Sequence, residues 1–379
     1  MSFLEYNVKS TPTGWRKILH LNWALALLIT SVAAVGWLML YSVAGGSFSP
    51  WAEAQMIRFA LGFTVMLMIA MVPIWFWRNM SVLAYIVGLI LLLWVEFFGV
   101  SGGGAQRWID LGFMRLQPSE VAKITVVMML AAYYDWLDLG KVSHPLYVAI
   151  PLAIIGLPVG LTFIQPDLGT SMLILMGGGS VMFMAGMHWL YFVSVIGIAV
   201  GAVSAVFASR GTGWQLLADY QYGRIDTFLD PSSDPLGDGY HITQSQIALG
   251  SGGWTGRGYM QGTQIQGDFL PESHTDFIFP TLAEEFGFIG GASLLLLYVL
   301  ILVFCIATAM MARDRYASLM VMGVAVTFFL YFALNMAMVM GLAPVVGVPL
   351  PLVSYGGSAM LVLMAAFGLV QSAHVHRAR

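Results

Sequence analysis

The chain has 379 residues, of which 59% are hydrophobic and only 9% are charged. This composition is too apolar for a soluble domain of that length, and it predicts a polytopic membrane protein. The formal net charge of −3 says little about partners, because in a membrane protein the placement of charges matters more than their sum.

About ten apolar windows are long enough to cross a bilayer as helices, which takes roughly 20 residues at 1.5 Å per residue. The expected fold class is therefore all-α, a polytopic integral membrane protein with about ten transmembrane helices. The window at 119–134 is the weakest, because it contains Glu120 and Lys123. In chain order, the predicted spans are 21–41, 59–77, 82–98, 119–134, 146–164, 168–187, 189–208, 276–310, 316–341 and 355–374.

The segment 1–20 is expected to be a cytoplasmic tail, and residues 21–379 a single membrane domain. Lys9, Arg16 and Lys17 precede the first span, and no small-residue cleavage site follows it. An even number of spans places both termini on one side. The tail and loops on that side hold nine Lys and Arg residues against five on the other, so both termini are expected to be cytoplasmic.

Those five outer arginines fall in only two segments, 101–117 and 209–275. A phosphate-bearing ligand would explain them, although solvated loop charges are the more ordinary explanation. The segment 209–275, between predicted helices 7 and 8, mixes aromatic residues with turn signals such as Asp230-Pro231. We expect a folded extracytoplasmic cap with a short helix at 242–249 and a glycine-rich loop at 250–262.

Acids within the spans cost about 2.5 to 3.5 kcal/mol each on insertion scales, so they usually have a partner or a role. Glu120 and Lys123 are three residues apart and can form either a structural or a catalytic ion pair. Glu284 and Glu285 lie two turns into the eighth span, and at least one must face protein or water. Asp276 opens that span, where a helix cap is the ordinary role and catalysis the less common one.

The chain before the last span contains the stretch GVPLPLVSYGGS, in which prolines and glycines bracket Ser354 and Tyr355. We expect a broken or re-entrant segment that lines a cavity. The glycines of MGGGS and FIGGAS are more simply explained by close packing of helices, and Asn335 by a hydrogen bond to a neighbouring helix.

Several long motifs occur in order over nearly the whole chain: GGGAQRWIDLGFMRLQPSEVAK, QPDLGTS, DPLGDGYHITQSQIALGSGG, FLPESHTDFIFPTLAEEFGFIGG and PVVGVPLPLVSYGGSAML. Together they resemble the SEDS family (shape, elongation, division and sporulation), bacterial glycosyltransferases that polymerise peptidoglycan. The stretches GAQRW, SDPLGDGYH and GTQ resemble the cell-elongation branch, RodA, more than the division branch, FtsW.

This resemblance implies a ten-helix enzyme that joins the disaccharide units of lipid II into a growing glycan strand on the outer face of the cytoplasmic (inner) membrane. The HTDF motif makes Asp276 essential, and the QPSE..K motif gives Glu120 and Lys123 functional importance. A sugar hydroxyl that attacks an anomeric carbon needs a base, and Asp276 is the best candidate. Further candidates for substrate binding are Arg107, Arg224, His274, Gln165, Asp167 and Ser354.

The sequence predicts no metal site and no built-in cofactor. Its seven histidines are scattered, its single cysteine, Cys305, lies in an apolar run, and no nucleotide-binding glycine loop is present. The activated substrate must then supply the energy. A divalent cation, Mg²⁺ or Mn²⁺, would be held partly by the substrate pyrophosphate. No nucleic-acid partner is expected.

Two alternatives from other classes stay open at this point. A flippase for the lipid-linked precursor would suit the intramembrane Glu120, Lys123 and Glu284, but no inverted repeat is evident and the polar groups concentrate towards the cap. A structural scaffold would not need buried charge. The resemblance also implies partners, namely a class B penicillin-binding protein, which is a transpeptidase, and other proteins of the elongation complex.

Overall fold

The computed structural model describes residues 14, 16–102, 105–112, 114–216, 219–230, 237–267, 269–270 and 272–377. Its helices are α1 (Arg16–Leu19), α2 (Trp23–Val43), α3 (Ala52–Met71), α4 (Ile74–Phe98), α5 (Pro118–Trp136), α6 (Pro145–Ile164), α7 (Leu168–Met184), α8 (Trp189–Ser209), α9 (Asp219–Leu229), α10 (Asp238–Ser251), α11 (Thr263–Gln266), α12 (Ile278–Met311), α13 (Arg315–Val339) and α14 (Gly357–Val375). Its strands are β1 (Val100–Gly102), β2 (Ala105–Asp110) and β3 (Arg115–Leu116).

Within the described ranges, eight helices are long and apolar enough to cross a membrane: α2, α3, α4, α6, α8, α12, α13 and α14. Helices α5 and α7, of 19 and 17 residues, pack among them. The expected all-α membrane fold is therefore confirmed, and these two helices complete the predicted set of spans. Most of the predicted tail, 1–13, lies outside the described residues.

The boundary between the second and third predicted spans is wrong. Helix α3 ends at Met71 and α4 begins at Ile74, whereas the predicted spans are 59–77 and 82–98. Pro73 has no N–H to continue a helix and favours an extended conformation at Val72, which has ψ 133°. The residues on both sides of this break are apolar, so a hydropathy profile does not show the turn.

The core lies where α5, α13 and α14 meet, and α3 packs along α14 while α12 packs along α13. Tyr298, Phe328 and Phe367 form a contiguous aromatic group between α12, α13 and α14. Gly177 of α7 lies so close to α13 that an added Cβ would be 2.8 Å from Thr327 Oγ1. The prediction that MGGGS allows close helix packing is confirmed.

Helix α8 differs from the other spans because Ser209, its last residue, is its only buried one. Near its start, Tyr191 Oη donates to Ser143 O at 2.9 Å, and near its end Ser209 Oγ lies 2.9 Å from Tyr222 Oη of α9. The middle of α8 is exposed all round. Among the described residues, protein contacts therefore hold this helix mainly at its ends.

Helix α12 is broken at Gly287, which has φ +67°. The backbone of the cap at 253–258 pairs with the backbone groups that the break leaves without helical partners. Two cap N–H groups donate to helix carbonyls, Arg257 N to Glu284 O and Gly258 N to Glu285 O. Two helix N–H groups donate to cap carbonyls, Phe288 N to Gly253 O and Ile289 N to Trp254 O, and all four distances are 2.8–3.1 Å. These bonds pair backbone groups that a break inside a helix would otherwise leave unsatisfied. The cap is thus tied to α12 at the break, in the cap-side third of that helix.

Both acids beside that break face protein, in line with the sequence prediction. Glu284 Oε1 accepts from Thr263 N and Thr263 Oγ1, both at 2.8 Å, and so holds the start of α11. Glu285 Oε1 accepts a hydrogen bond from Ser42 Oγ of α2. The acids therefore attach the cap and α2 to the outer half of α12.

The segment 209–275 contains α9, α10 and α11, which supports its description as a folded cap. Helix α10 is longer than the predicted 242–249, and the glycine-rich loop begins at Gly252. Ser245 Oγ donates to Val339 O at 2.7 Å, which attaches α10 to the end of α13. We call this end of the helix bundle the cap side. Arg224 belongs to α9, but its side chain lies outside the described residues.

A small antiparallel sheet follows α4 on the cap side, in the order β1-β2-β3. Val100 pairs with Trp108, and Asp110 pairs with Arg115. The sheet carries Arg107 on its central strand, so it brings one of the predicted substrate-binding residues to the same end of the bundle as the cap.

Candidate active site

The site lies on the cap side, where a turn, a helix and an irregular segment meet. The turn at 272–277 precedes α12 and carries His274 and Asp276. The segment 342–356 joins α13 to α14 without helical structure, yet Val348, Leu350 and Leu352 are buried in it. The predicted break before the last span is therefore present as a buried, non-helical segment.

Asp276 is held by its backbone, while its carboxylate accepts no hydrogen bond from any described residue. Asn335 Nδ2 donates both to Asp276 O at 2.9 Å and to Val348 O at 2.7 Å. Gly347, at φ +68°, lies beside the carboxylate, and a Cβ there would be 3.7 Å from Asp276 Oδ2. The Asn335 side chain thus fixes the backbone of the turn at Asp276 and the backbone of the irregular segment at Val348.

The helix-cap explanation of Asp276 does not fit this geometry. Helix α12 begins at Ile278 and not at 276, its N-cap position is Phe277, and no side chain caps it. Burial, and to a smaller extent the charge of Glu272, raise the pKa of Asp276 to about 6. A carboxylate in this state is well suited to accept a proton near neutral pH.

His274 stacks on Trp51 of α3, with ring centroids 4.5 Å apart. Its carbonyl oxygen accepts from Tyr355 N at 2.9 Å, and Nε2 lies 4.0 Å from Glu272 Oε2. Burial lowers the pKa of the imidazole, with Glu272 opposing that effect. His274 makes no hydrogen bond to Asp276 within the described structure.

Ser354 is buried, and its hydroxyl both donates and accepts a hydrogen bond within the chain. Ser354 Oγ donates to Thr275 O at 2.6 Å and accepts from Leu350 N at 2.7 Å. Gln55 Nε2 of α3 donates to Ser354 O at 2.8 Å. Ser354 therefore ties the irregular segment to the turn that carries Asp276, and its predicted role in substrate binding stays a prediction.

The predicted pairing of Glu120 and Lys123 is confirmed, with Lys123 Nζ 2.8 Å from Glu120 Oε1. Tyr331 of α13 donates from Oη to the same oxygen at 3.0 Å, and Lys123 Nζ lies 3.9 Å from the centre of the Tyr331 ring. Tyr331 and Asn335 are four residues apart on α13, about 6 Å along its axis. The ion pair thus lies about one helical turn deeper than the backbone of Asp276.

A narrow cavity of about 40 Å³ runs between these groups. Most of its lining is apolar, and its polar groups are Glu120, Lys123 and Tyr331 at the deeper end and Ser354 towards the cap side. That volume holds about one or two water molecules, and it is too small for a sugar ring.

Three further predicted residues brace the start of α7 beside the site. Asp167 accepts from Thr170 N at 3.2 Å and from Gln117 Nε2 at 2.8 Å, and it also lies 3.4 Å from Ser119 Oγ. Gln165 Nε2 donates to Leu92 O at 3.0 Å. Arg107 Nε donates to Gln165 O at 2.9 Å, and Arg107 Nη2 donates to Pro166 O. Two of the five N–H donors of Arg107 are thus bound to backbone carbonyls.

Arg58, Tyr331 and the contact between Asn335 and Asp276 were not predicted. By the predicted bounds Arg58 belongs to the outer loop at 42–58, one residue before the second span, so it is a sixth arginine on the cap side that the count of five left out. Its Nη2 donates to Tyr355 Oη at 3.0 Å. A charged residue next to a span boundary was the signal that could have identified it.

Comparison with known proteins agrees with this architecture. Residues 19–379 match the model of the FtsW/RodA/SpoVE family, described as cell cycle protein. The chain belongs to the FtsW/RodA/SpoVE family. It is 43% identical over 367 residues to the peptidoglycan glycosyltransferase MrdB of Escherichia coli (strain K12), with 96% of each chain covered.

Two solved structures of this family resemble the fold. A chain from a peptidoglycan synthase complex, described in terms of the coordination of polymerization and crosslinking, superposes with a TM-score of 0.82 at 29% identity, covering 94% of this chain and 98% of that one. The rod shape determining protein RodA of Thermus thermophilus superposes with a TM-score of 0.71 at 25% identity, covering 95% and 98%. The resemblance to the RodA branch of the FtsW/RodA/SpoVE family is confirmed.

Proposed function

We propose that this protein is a peptidoglycan glycosyltransferase that polymerises lipid II into glycan strands during cell elongation. The proposal rests on the Asp276 carboxylate, which accepts no hydrogen bond from a described residue and whose pKa is raised to about 6. The relative at 43% identity is named for the same activity. The family membership supports the same conclusion.

The reaction needs a base and a leaving group. A sugar hydroxyl attacks the anomeric carbon of a second molecule, its proton passes to Asp276, and the new C–O bond forms. The bond between the anomeric carbon and the phosphate oxygen breaks, and its electron pair leaves with undecaprenyl pyrophosphate. A single direct displacement of this kind inverts the anomeric configuration.

The other residues position the base or shape the site. Asn335 and Ser354 hold the turn that carries Asp276. Glu120 and Lys123 form the deep polar end of the cavity, and we keep this ion pair as a candidate functional pair below the site. Gln165 and Asp167 keep α7 against the same wall, and we keep His274, Arg107 and Arg224 as candidates for contact with the substrate.

The surroundings of the enzyme follow from the same proposal. The cap faces the outside of the cytoplasmic membrane and both termini are cytoplasmic, in keeping with the excess of Lys and Arg on the side opposite the cap. A class B penicillin-binding protein is the proposed partner, supported by the similar chain from a complex that coordinates polymerization and crosslinking. Other elongation proteins would join it. No built-in cofactor is proposed, and a divalent cation, Mg²⁺ or Mn²⁺, would arrive with the substrate pyrophosphate.

The test is polymerisation of labelled lipid II by the purified protein, alone and with its transpeptidase partner. Wild type is compared with Asp276→Asn, and Asp138→Asn, an exposed acid on the side opposite the cap, is the matched control. We expect polymer from the wild type and the control but not from Asp276→Asn. Equal polymer from all three would refute the role of Asp276, and lipid II transport without polymer would favour a flippase.

A further inference from the structure

Arg58 of α3 is a cation without a carboxylate partner. No described carboxylate oxygen lies within 4.0 Å of its guanidinium, whose Nη2 donates to Tyr355 Oη at 3.0 Å. The Nη1 atom is buried and has no hydrogen-bond acceptor among the described residues. A guanidinium is always charged and offers five N–H donors, so a buried nitrogen without an acceptor favours an anion beside it.

Most other cations on the cap side differ from Arg58 in this respect. Arg107 is bound to two backbone carbonyls, and Lys123 is paired with Glu120. Arg210 is paired with Asp226, and Arg257 lies 3.8 Å from Glu284. Among the described cap-side cations, Arg58, Arg107 and the exposed Arg115 lack a carboxylate within 4.0 Å, and of these three Arg107 is bound to backbone carbonyls.

The guanidinium of Arg58 lies against the first residue of α14. A Cβ on Gly357 would be 3.9 Å from Arg58 Cζ and also 3.9 Å from Arg115 O. The N-cap residue, Gly356, has no side chain to occupy the free N–H groups of this 19-residue helix. The positive end of the helix dipole therefore adds to the charge of Arg58, and the two small residues leave the backbone open.

Arg58 and Asp276 lie on two sides of the same short segment. Tyr355 meets Arg58 through its hydroxyl, and its backbone N–H donates to His274 O at 2.9 Å, two residues before Asp276. Gly356 and its neighbour Ser354 line the cap-side end of the cavity. In a direct displacement the base and the leaving group stand on opposite sides of the anomeric carbon, so a separate anion site is needed beside the base.

We propose that Arg58, together with the first turn of α14, binds the diphosphate of the polyprenyl-linked substrate and selects it over a monophosphate. The inference rests on the proposed function, because it names the group that recognises the leaving group of that reaction. Two linked phosphates offer a planar guanidinium and a helix end more acceptor oxygens than one phosphate does. The cations predicted from the sequence for this role are bound to carbonyls or to Glu120, or lie outside the described side chains.

The experiment measures binding of undecaprenyl pyrophosphate and of undecaprenyl phosphate to the full-length protein in nanodiscs. Wild type is compared with Arg58→Gln and Arg58→Lys, and Lys141→Gln, which removes an exposed cation on the opposite side, is the control. Loss of a charge-assisted contact of about 1.5–3 kcal/mol corresponds to a rise of about 10- to 100-fold in Kd. We expect that rise in Arg58→Gln for the diphosphate, a much smaller rise for the monophosphate, and an intermediate result in Arg58→Lys.

Competition by inorganic pyrophosphate distinguishes recognition of the diphosphate from recognition of the lipid chain. We expect it to displace the lipid from the wild type and the control more effectively than from Arg58→Gln. Equal displacement in all variants, or an unchanged Kd in Arg58→Gln, would overturn the proposal. Arg58→Lys keeps a cation in place and so provides a second variant if Arg58→Gln fails to fold.

Binding is measured without polymerisation, so this inference and the proposed function can fail separately. A wild type that binds undecaprenyl pyrophosphate through Arg58 but forms no glycan polymer with its partner would refute the proposed function alone. A wild type that polymerises lipid II, with an Arg58→Gln variant of unchanged KM and Kd, would refute the diphosphate site alone.

Discussion

Glu120 and Asp276 are the two acids of the candidate site, and they differ in what surrounds the carboxylate. Glu120 accepts from Lys123 at 2.8 Å and from Tyr331 at 3.0 Å, so its charge is already satisfied. The Asp276 carboxylate has no described donor, and its pKa is raised to about 6. A carboxylate that already accepts strong hydrogen bonds stabilises the fold, whereas one without donors can accept a proton. The difference therefore indicates that Asp276, and not Glu120, acts as the base.

Replacing the unsatisfied acid is expected to have the largest effect. Asp276→Asn keeps the size of the side chain but removes the base, so polymerisation should fall by at least about 100-fold. The thermal unfolding midpoint should stay unchanged, since no described hydrogen bond to the carboxylate is lost. Rates of labelled lipid II polymerisation and thermal unfolding would be measured on the same preparation. A variant that unfolds early would instead mean that the carboxylate stabilises the fold.

Breaking the satisfied pair is expected to act mainly on stability. Lys123→Met leaves the charge of Glu120 buried without a cation, which costs about 3–5 kcal/mol of unfolding free energy. The double variant Glu120→Gln with Lys123→Met removes both charges and should recover most of that loss. Thermal unfolding of the single and double variants in the same detergent tests this. If the double variant is as unstable as the single one, the ion pair is not the source of the loss.

The polymerisation rate of the same double variant sharpens the comparison further. A stable double variant that is still inactive would show that the ion pair also contacts the substrate. A stable and active double variant would limit Glu120 and Lys123 to a structural role.

The backbone support of Asp276 can be removed without touching its carboxylate. Asn335→Leu leaves the carbonyls of Asp276 and Val348 without their donor, at a cost of about 1–3 kcal/mol for each group that stays buried. We expect kcat to fall while the Kd for undecaprenyl pyrophosphate stays within twofold, or about 0.4 kcal/mol. Thr308→Val is the control, because its hydroxyl bonds only within α12. Equal kcat in the two variants would contradict the role of Asn335.

The smallest expected effect is a displacement of the pH profile. Asp276 must be ionised to act, so activity should rise with pH through about 6. The charge of Glu272 disfavours the ionised form, so Glu272→Gln should lower the pKa and move the acidic limb to lower pH. Rates between pH 5 and 8 would be compared with those of Asp110→Asn, an exposed acid on the sheet. If His274→Gln abolishes the limb, the titrating group is the histidine.

The sequence predicts those features of the fold that depend on nearby residues. The pairing of Glu120 with Lys123 follows from three-residue spacing on one helix, and the break before α14 follows from local proline and glycine. The boundary at Pro73 was missed because the hydropathy continues across it. Long apolar windows locate spans well, but they do not locate the short turns between them.

The environment of Asp276 could not be predicted, because it is built by residues that are distant in sequence. Asn335 is 59 positions away from Asp276, and Gly347 lies beyond it on the irregular segment. Arg58 meets Tyr355 across 297 positions. Only tertiary packing brings these groups together, so spacing along the chain carries no signal of them. The family resemblance identified Asp276, but it did not identify the residues that hold Asp276 in place.

The nearly complete exposure of α8 has a consequence for how the bilayer acts on this enzyme. A span that the described protein contacts mainly at its ends can adjust its tilt to the thickness of the surrounding hydrocarbon more freely than a packed one. Its far end is joined to the cap through Ser209 and Tyr222. A thicker or thinner membrane would therefore shift that end relative to the bundle. The lipid composition of the cell envelope would in this way change the position of the cap.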